Sequence, residues 1–262
     1  MFEDAESYTD ICELVDHCKA MKLGDDYIFR GMRIKWPLSS TLFRFEDEKQ
    51  RSDIWDETLR FCQWIKDNPS LKPFIKDELL FAIAQHYYSQ FFTFNLATDV
   101  IDFTRDVKIA AFFATTSDKI TTGDEGVVYA VSKSEFEKYF EEVGKLSGTS
   151  TPGAFFEPDL PKVSGSWRLE NQKGLFMKDY GGFVSRRHSI WGIIGTRFVF
   201  KQTAGVTITD YFPEINEQLI YPTLNNFERC LSISIITLIS GMTVEHESCL
   251  RSSVLRGAIT FR

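Results

Sequence analysis

The sequence predicts an α+β fold in a single domain, with N-terminal helices followed by a mixed, largely antiparallel sheet. Amphipathic helical patterns crowd the first part of the chain, extended segments dominate after residue 166, and no repeat of fixed period runs through it. Ile11, Leu14, Val15, Cys18 and Met21 recur at helical spacing behind Thr9 or Asp10 as N-cap, so the chain opens with an amphipathic helix ended by Gly24. Residues 27–34 are rich in β-type side chains around Gly31, which marks a bulge or a close backbone approach on a strand closed by Trp36 and Pro37. Over 46–67, Ile54, Thr58, Cys62 and Ile65 share one face of a second long helix, and a third stretch runs from Lys76 to about Tyr88.

Thr98 to Phe103 alternates like a strand. Val107 to Ser117 is apolar nearly all round and predicts a buried helix. Gly126 to Val131 is a fully apolar strand, and Ser134 with Glu137 predicts a capping box for a helix that uses Phe136, Tyr139, Phe140 and Val143. The Gly/Ser/Thr/Pro-rich stretch 144–166 is the candidate linker. Beyond it, 174–178, 191–200 and 205–209 read as strands, and Leu224, Phe227, Leu231, Ile235 and Leu238 fit a last helix.

Composition narrows the function classes. Hydrophobic residues make up 43% and charged ones 26% of 262 residues, enough for the chain to bury its own core. The net charge of −7 and the lack of a Lys/Arg block argue against a nucleic-acid binder, which needs a clustered basic face. The acidic start has no apolar core of a signal peptide, and no apolar run reaches the ~18 residues of a membrane helix, so the expected location is the cytoplasm, with no membrane partner. Five cysteines without a CxxC pair read as reduced thiols. The His246–Cys249 spacing and the adjacent His17 and Cys18 lack further ligands nearby, so no metal is expected.

Phe29-Arg30-Gly31-Met32, with Trp36-Pro37-Leu38 and Arg44 downstream, resembles the start of the FRG domain, named for its Phe-Arg-Gly motif. Ala84-Gln85-His86-Tyr87, Ile101 to Thr104 leading into Ala110 to Ala114, Val128 to Ala130, and Arg168 to Phe176 are similar to later family segments in the same order, so the resemblance spans roughly 27–225. The chain departs from the family at 88–97, where a short Gly-x-Pro-Thr turn is usual and a longer segment without Gly or Pro stands instead. The implied division is an N-terminal helix at 1–24, an FRG-like domain at 25–242 and a C-terminal extension at 243–262.

The layout also resembles mono-ADP-ribosyltransferases of the Arg, Ser-Thr-Ser, Glu type, and that analogy implies an ADP-ribosyltransferase-like fold with NAD as cofactor. It puts Arg30 in the early aromatic-Arg-Gly strand, Asp102 to Thr104 in the polar strand, and Glu170 to Gln172 in the carboxylate slot. Transfer of ADP-ribose proceeds through a sugar cation, so such a site must hold the pyrophosphate and place a negative charge near the ribose. Arg30 suits the phosphate role, with Gly31 letting the ligand approach the backbone; the competing reading is a structural Arg paired with Asp102 to tie two strands. His86 and Tyr87 offer a ribose hydrogen bond and a stacking ring, or a satisfied core histidine. Asp102 and Thr104 share a strand face and offer a hydroxyl-substrate contact, or Thr104 caps the following helix.

The transferase pattern wants Glu as the second member of its pair, and this chain has Gln172, which carries no charge. The catalytic candidates are therefore Glu170, Gln172, Asp102 and His86, and the cofactor-binding candidates are Arg30, Gly31, Tyr87 and Thr104. The leading expectation is an NAD-dependent transferase acting on a protein or nucleic-acid acceptor, as a toxin or defence effector. The competing expectation is a non-catalytic nucleotide-binding sensor or interaction module.

Overall fold

A computed structural model of the chain describes residues 7–20, 23, 26–35, 37–69, 97–117, 119–147, 155–156, 170–179 and 195–221. The chain divides into two compact units, one of Met1–Ser39, Ile101–Glu157 and Trp167–Pro222, the other of Ser40–Val100, Pro158–Ser166 and Thr223–Arg262.

The sheet is assembled from β1 (Ser7–Tyr8), β2 (Tyr27–Met32), β3 (Val100–Thr104), β4 (Glu125–Ser132), β5 (Phe155–Phe156), β6 (Gly174–Lys178) and β7 (Gly195–Lys201). Its spatial order is β1-β7-β4-β2-β3-β6-β5, mixed but mostly antiparallel, with the β1–β7 pair parallel. With α1 (Ile11–Ala20), α2 (Glu48–Asp67), α3 (Val107–Thr115), α4 (Lys133–Ser147) and the single turn α5 (Glu217–Ile220), the architecture is α+β.

Side chains alternate across the strands and separate two cores within the first unit. Phe29, Val128, Ala130, Phe198 and Phe200 face one way and pack with α1 and α3 through Leu14, Val15, Cys18, Ala110, Ala111 and Phe112. Ile28, Met32, Val127, Tyr129 and Val131 face the other way and pack with Phe136 and Phe140 of α4 and with Leu175 and Met177 of β6. Asp10 begins α1, its carboxylate accepting from the Glu13 N–H at 2.9 Å, which settles the choice between Thr9 and Asp10. Asp106 caps α3 by accepting from the Lys108 N–H.

In the second unit, α2 buries the predicted face of Ile54, Thr58, Cys62 and Ile65. Asp47 caps it, and the Thr58 hydroxyl lies 3.0 Å from the Ile54 carbonyl and 2.9 Å from that of Ala97. Leu42, Ile54 and Ala97 form a small core there.

Three local expectations are corrected. Residues 205–209 are not a strand: Gly205 turns at a φ of +76° and a capping box between Thr207 and Asp210 winds Ile208–Asp210 into a short 3-10 turn. The Ser134–Glu137 box does not start α4. The helix begins at Lys133, and its free N–H groups are taken by Ser132 and by Asp26, whose carboxylate accepts from the Ser134 N–H at 3.0 Å and whose carbonyl accepts from the Lys133 N–H at 2.9 Å. The 144–166 stretch is not all linker, since β5 lies in it and pairs with β6. The helices expected at 76–88 and 224–238, the turn at 88–97 and the extension 243–262 lie outside the described residues.

Candidate functional site

Arg30 sits at the centre of the sheet, on β2 between β4 and β3. The β2–β3 pairing has one registered position, Phe29 opposite Thr104. Immediately beyond it the Arg30 side chain bridges the two strands: Nη1 donates to the Asp102 carbonyl at 2.7 Å and to the Asp102 carboxylate. The guanidinium thus replaces strand-to-strand backbone bonds and acquires a fixed orientation. Its Nε is buried and has no hydrogen-bond partner. A buried donor left unmet costs about 1–3 kcal/mol, so this nitrogen is a place where an acceptor would be gained rather than exchanged for water.

Gly31 has another use than the one its sequence context implied. A Cβ built on it would stand 1.7 Å from the Ala110 carbonyl oxygen, so the close approach that only glycine allows is made by α3. No room is left over Gly31 on that face for a ligand.

Thr104 and Gln172 come together at the junction of β3 and α3. The Thr104 hydroxyl donates to the Gln172 carbonyl at 2.7 Å and accepts from the Asp106 N–H at 3.1 Å. Gln172 is 3% exposed, and its side-chain amide donates to the Ile220 carbonyl at 3.0 Å while Asn171 donates to that of Leu219. Lys173 follows at a φ of +47°, an unusual conformation for a residue with a Cβ. Its N–H donates to the Glu170 carbonyl, its carbonyl accepts from the Arg105 N–H, and its Nζ pairs with Asp106 at 2.8 Å. Glu170, on the same turn, is exposed.

The predicted residues therefore form two groups. Arg30 and Asp102 are joined, and Thr104 and Gln172 are joined. Arg30 springs from the face shared by Ile28 and Met32, whereas the Gln172 amide reaches Ile220, whose side chain belongs to the α1–α3 core. His86 and Tyr87 lie outside the described residues.

A family model for the FRG domain matches residues 25–122. Residues 25–122 are an FRG domain. The match contains Arg30, Gly31, Asp102 and Thr104 and stops short of Gln172, so the FRG motif arginine is the residue that bridges β2 to β3, and its glycine is the residue under Ala110. No curated protein and no solved structure matches the chain.

Two polar residues of the FRG-domain protein were missed at the level of sequence. Tyr129 is directly opposite Arg30 on β4, and Arg197 is directly opposite Tyr129 on β7. For Arg197 the available signal was a lone charge inside the apolar strand pattern 191–200. Among the described residues, no group of three or more His, Cys, Asp or Glu is placed to hold a metal, and no helix is long and apolar enough to cross a membrane.

Proposed function

We propose that this FRG-domain protein is a nucleotide-binding module that holds an ADP-ribose-like ligand, NAD among them, through Arg30, and that it does not turn the ligand over. The observation that carries the reading is the state of Arg30: one terminal nitrogen is anchored by Asp102 while the buried Nε has no acceptor. An arginine fixed in this way meets a phosphate oxygen with little further ordering, and a charge-assisted hydrogen bond in a half-buried site is worth more than a neutral one. Asp102 is the residue that orients Arg30, and Thr104 and Gln172 hold the β3–α3 junction.

The transferase reading needs a carboxylate beside the ribose. The residue in that slot is Gln172, whose amide is committed to a backbone carbonyl on the α1–α3 side. Glu170 and Asp102 are the remaining carboxylates for it. Titration calorimetry with NAD and with ADP-ribose tests the binding reading: wild type is expected to bind both, and Arg30→Gln to weaken binding by about 1.5–3 kcal/mol, the range for a hydrogen bond to a charged group. Absence of binding by wild type would end the reading. Nicotinamide released from NAD by wild type, abolished in Glu170→Gln or Asp102→Asn, would establish the transferase instead, and screening protein and nucleic-acid acceptors would then define its partner.

A further inference from the structure

We infer that Asp102 sets the charge selectivity of the Arg30 site, which takes a singly charged oxyanion, the esterified phosphate of a nucleotide, and rejects a doubly charged terminal phosphate. The inference rests on the nucleotide-binding reading and specifies the ionic class of the ligand. Among the described residues, both hydrogen bonds of the Arg30 side chain run through Nη1, one to the Asp102 carbonyl at 2.7 Å and one to the Asp102 carboxylate. Nε has no partner. A guanidinium has a second edge, formed by Nε and Nη2, whose parallel N–H groups match two oxygens of one phosphoryl group. An anion seated there leaves Nη1 to Asp102, so one arginine is shared between two negative groups.

The carboxylate stays in place when the anion arrives, because the carbonyl of the same residue holds the same nitrogen and is fixed in β3. The Asp102 side chain is 35% exposed against 14% for Arg30, so the pair opens to solvent on the Asp102 side, along the seam between β2 and β3. An anion entering there meets the carboxylate first. It then remains one guanidinium away from it, within the ~4–6 Å over which a charge acts strongly on its neighbour.

Attraction to Arg30 grows in proportion to the charge of the ligand, whereas the cost of taking that charge out of water grows as its square. Asp102 subtracts from the first and leaves the second unchanged. A singly charged oxyanion keeps its two charge-assisted hydrogen bonds and still binds. A second charge on the same phosphate meets weakened attraction and a larger desolvation cost, which is selection by a repulsive element. The net charge of −7 on the chain acts in the same direction. Recognition is reversible binding with no bond made or broken.

The test is calorimetric titration of the full chain at pH 8 with ADP-ribose, with AMP and with the methyl ester of AMP, whose phosphate carries one charge where that of AMP carries about two. Wild type is expected to bind the ester at least about tenfold more tightly than AMP. Asp102→Asn keeps the shape and the backbone carbonyl, and it should narrow the gap to about threefold or less by tightening AMP more than the ester. Equal or tighter binding of AMP by wild type overturns the inference, as does an unchanged gap in Asp102→Asn; ADP-ribose bound by wild type leaves the nucleotide reading standing in both cases. Failure of wild type to bind ADP-ribose overturns both. Binding of ADP-ribose but of neither AMP nor its ester also overturns the inference, since the phosphate is then not what Arg30 holds. If Asp102→Asn does not fold, Asp102→Ser takes its place, and with neither folded the wild-type comparison decides alone.

Discussion

Gly31 on β2 and Ala110 on α3 are in backbone contact so close that a Cβ on Gly31 would stand 1.7 Å from the Ala110 carbonyl oxygen. The obstacle is main chain in the middle of a buried helix and cannot rotate aside as a side-chain tip would. Gly31→Ala is therefore expected to lower stability by about 3 kcal/mol or more, at the upper end of overpacking effects. Urea denaturation measures it. A loss below about 1 kcal/mol would mean that α3 slides freely on the sheet.

Gln172→Glu writes a carboxylate into the transferase slot, and its expected outcome is loss of stability without gain of turnover. The Gln172 amide donates to the Ile220 carbonyl at 3% exposure, so Glu there would set two acceptors against each other in a buried place. A destabilisation of about 2 kcal/mol follows from stranding a buried acceptor. Thermal melting reads the first half of the expectation and a nicotinamide release assay the second; measurable turnover would return the transferase mechanism to consideration.

Asp26 gives the fold an acid-sensitive tie. Burial pushes its carboxyl up, but the hydroxyls of Ser132 and Ser134, the Ser134 N–H and the charge of Lys133 together outweigh that and hold it below its ordinary 3.8. A carboxyl depressed by folding stabilises the native state above its unfolded value and loses that contribution as pH falls through its folded value. Asp26→Asn is expected to cost about 1 kcal/mol at neutral pH, as for loss of a helix cap. The gap between variant and wild type should narrow below pH 3.8. Denaturation curves at pH 3 and pH 7 measure it, and an equal gap at both would show that the charge of Asp26 does not matter.

Burial pushes the Cys18 and Cys62 thiols up to about 12. At pH 8 that leaves roughly one part in ten thousand as the reactive thiolate. Both are expected to resist iodoacetamide in the native protein and to react once it is unfolded, while the less buried Cys12 is alkylated first. Peptide mapping by mass spectrometry follows each site, and native alkylation of Cys18 at the rate of Cys12 would contradict the packing of α1.

Elements governed by a short local pattern were legible in the sequence. The face of α2 and both ends of β6 were predicted as found, because spacing alone marks them. What the sequence hid depends on residues far apart. The partner that tightens α4 is Asp26, 108 positions before Ser134, so a local Ser–Glu pair was read in its place. Gly31 was recognised as a point of close approach, but its visitor, Ala110, was not. At the candidate site, the alternative of a strand-tying Arg30–Asp102 pair could be stated but not chosen, since both a structural and a ligand-binding arginine leave the same letters. Tyr129 and Arg197 became relevant only with the register, which aligns three strands whose order no local pattern reveals.

The strand order also has a kinetic consequence. β4 lies between β2 and β7, and β7 begins 63 positions after β4 ends (195 − 132), so one edge of the almost wholly buried β4 stays open while that length is synthesised. At cellular elongation rates the wait is roughly three to thirteen seconds. During it an apolar strand with unpaired N–H and C=O groups is available to any neighbouring chain, and closure by contacts distant in sequence is itself slow. Yield on expression should therefore respond to elongation rate and to chaperones that shield strand edges, even for variants whose final stability is unchanged.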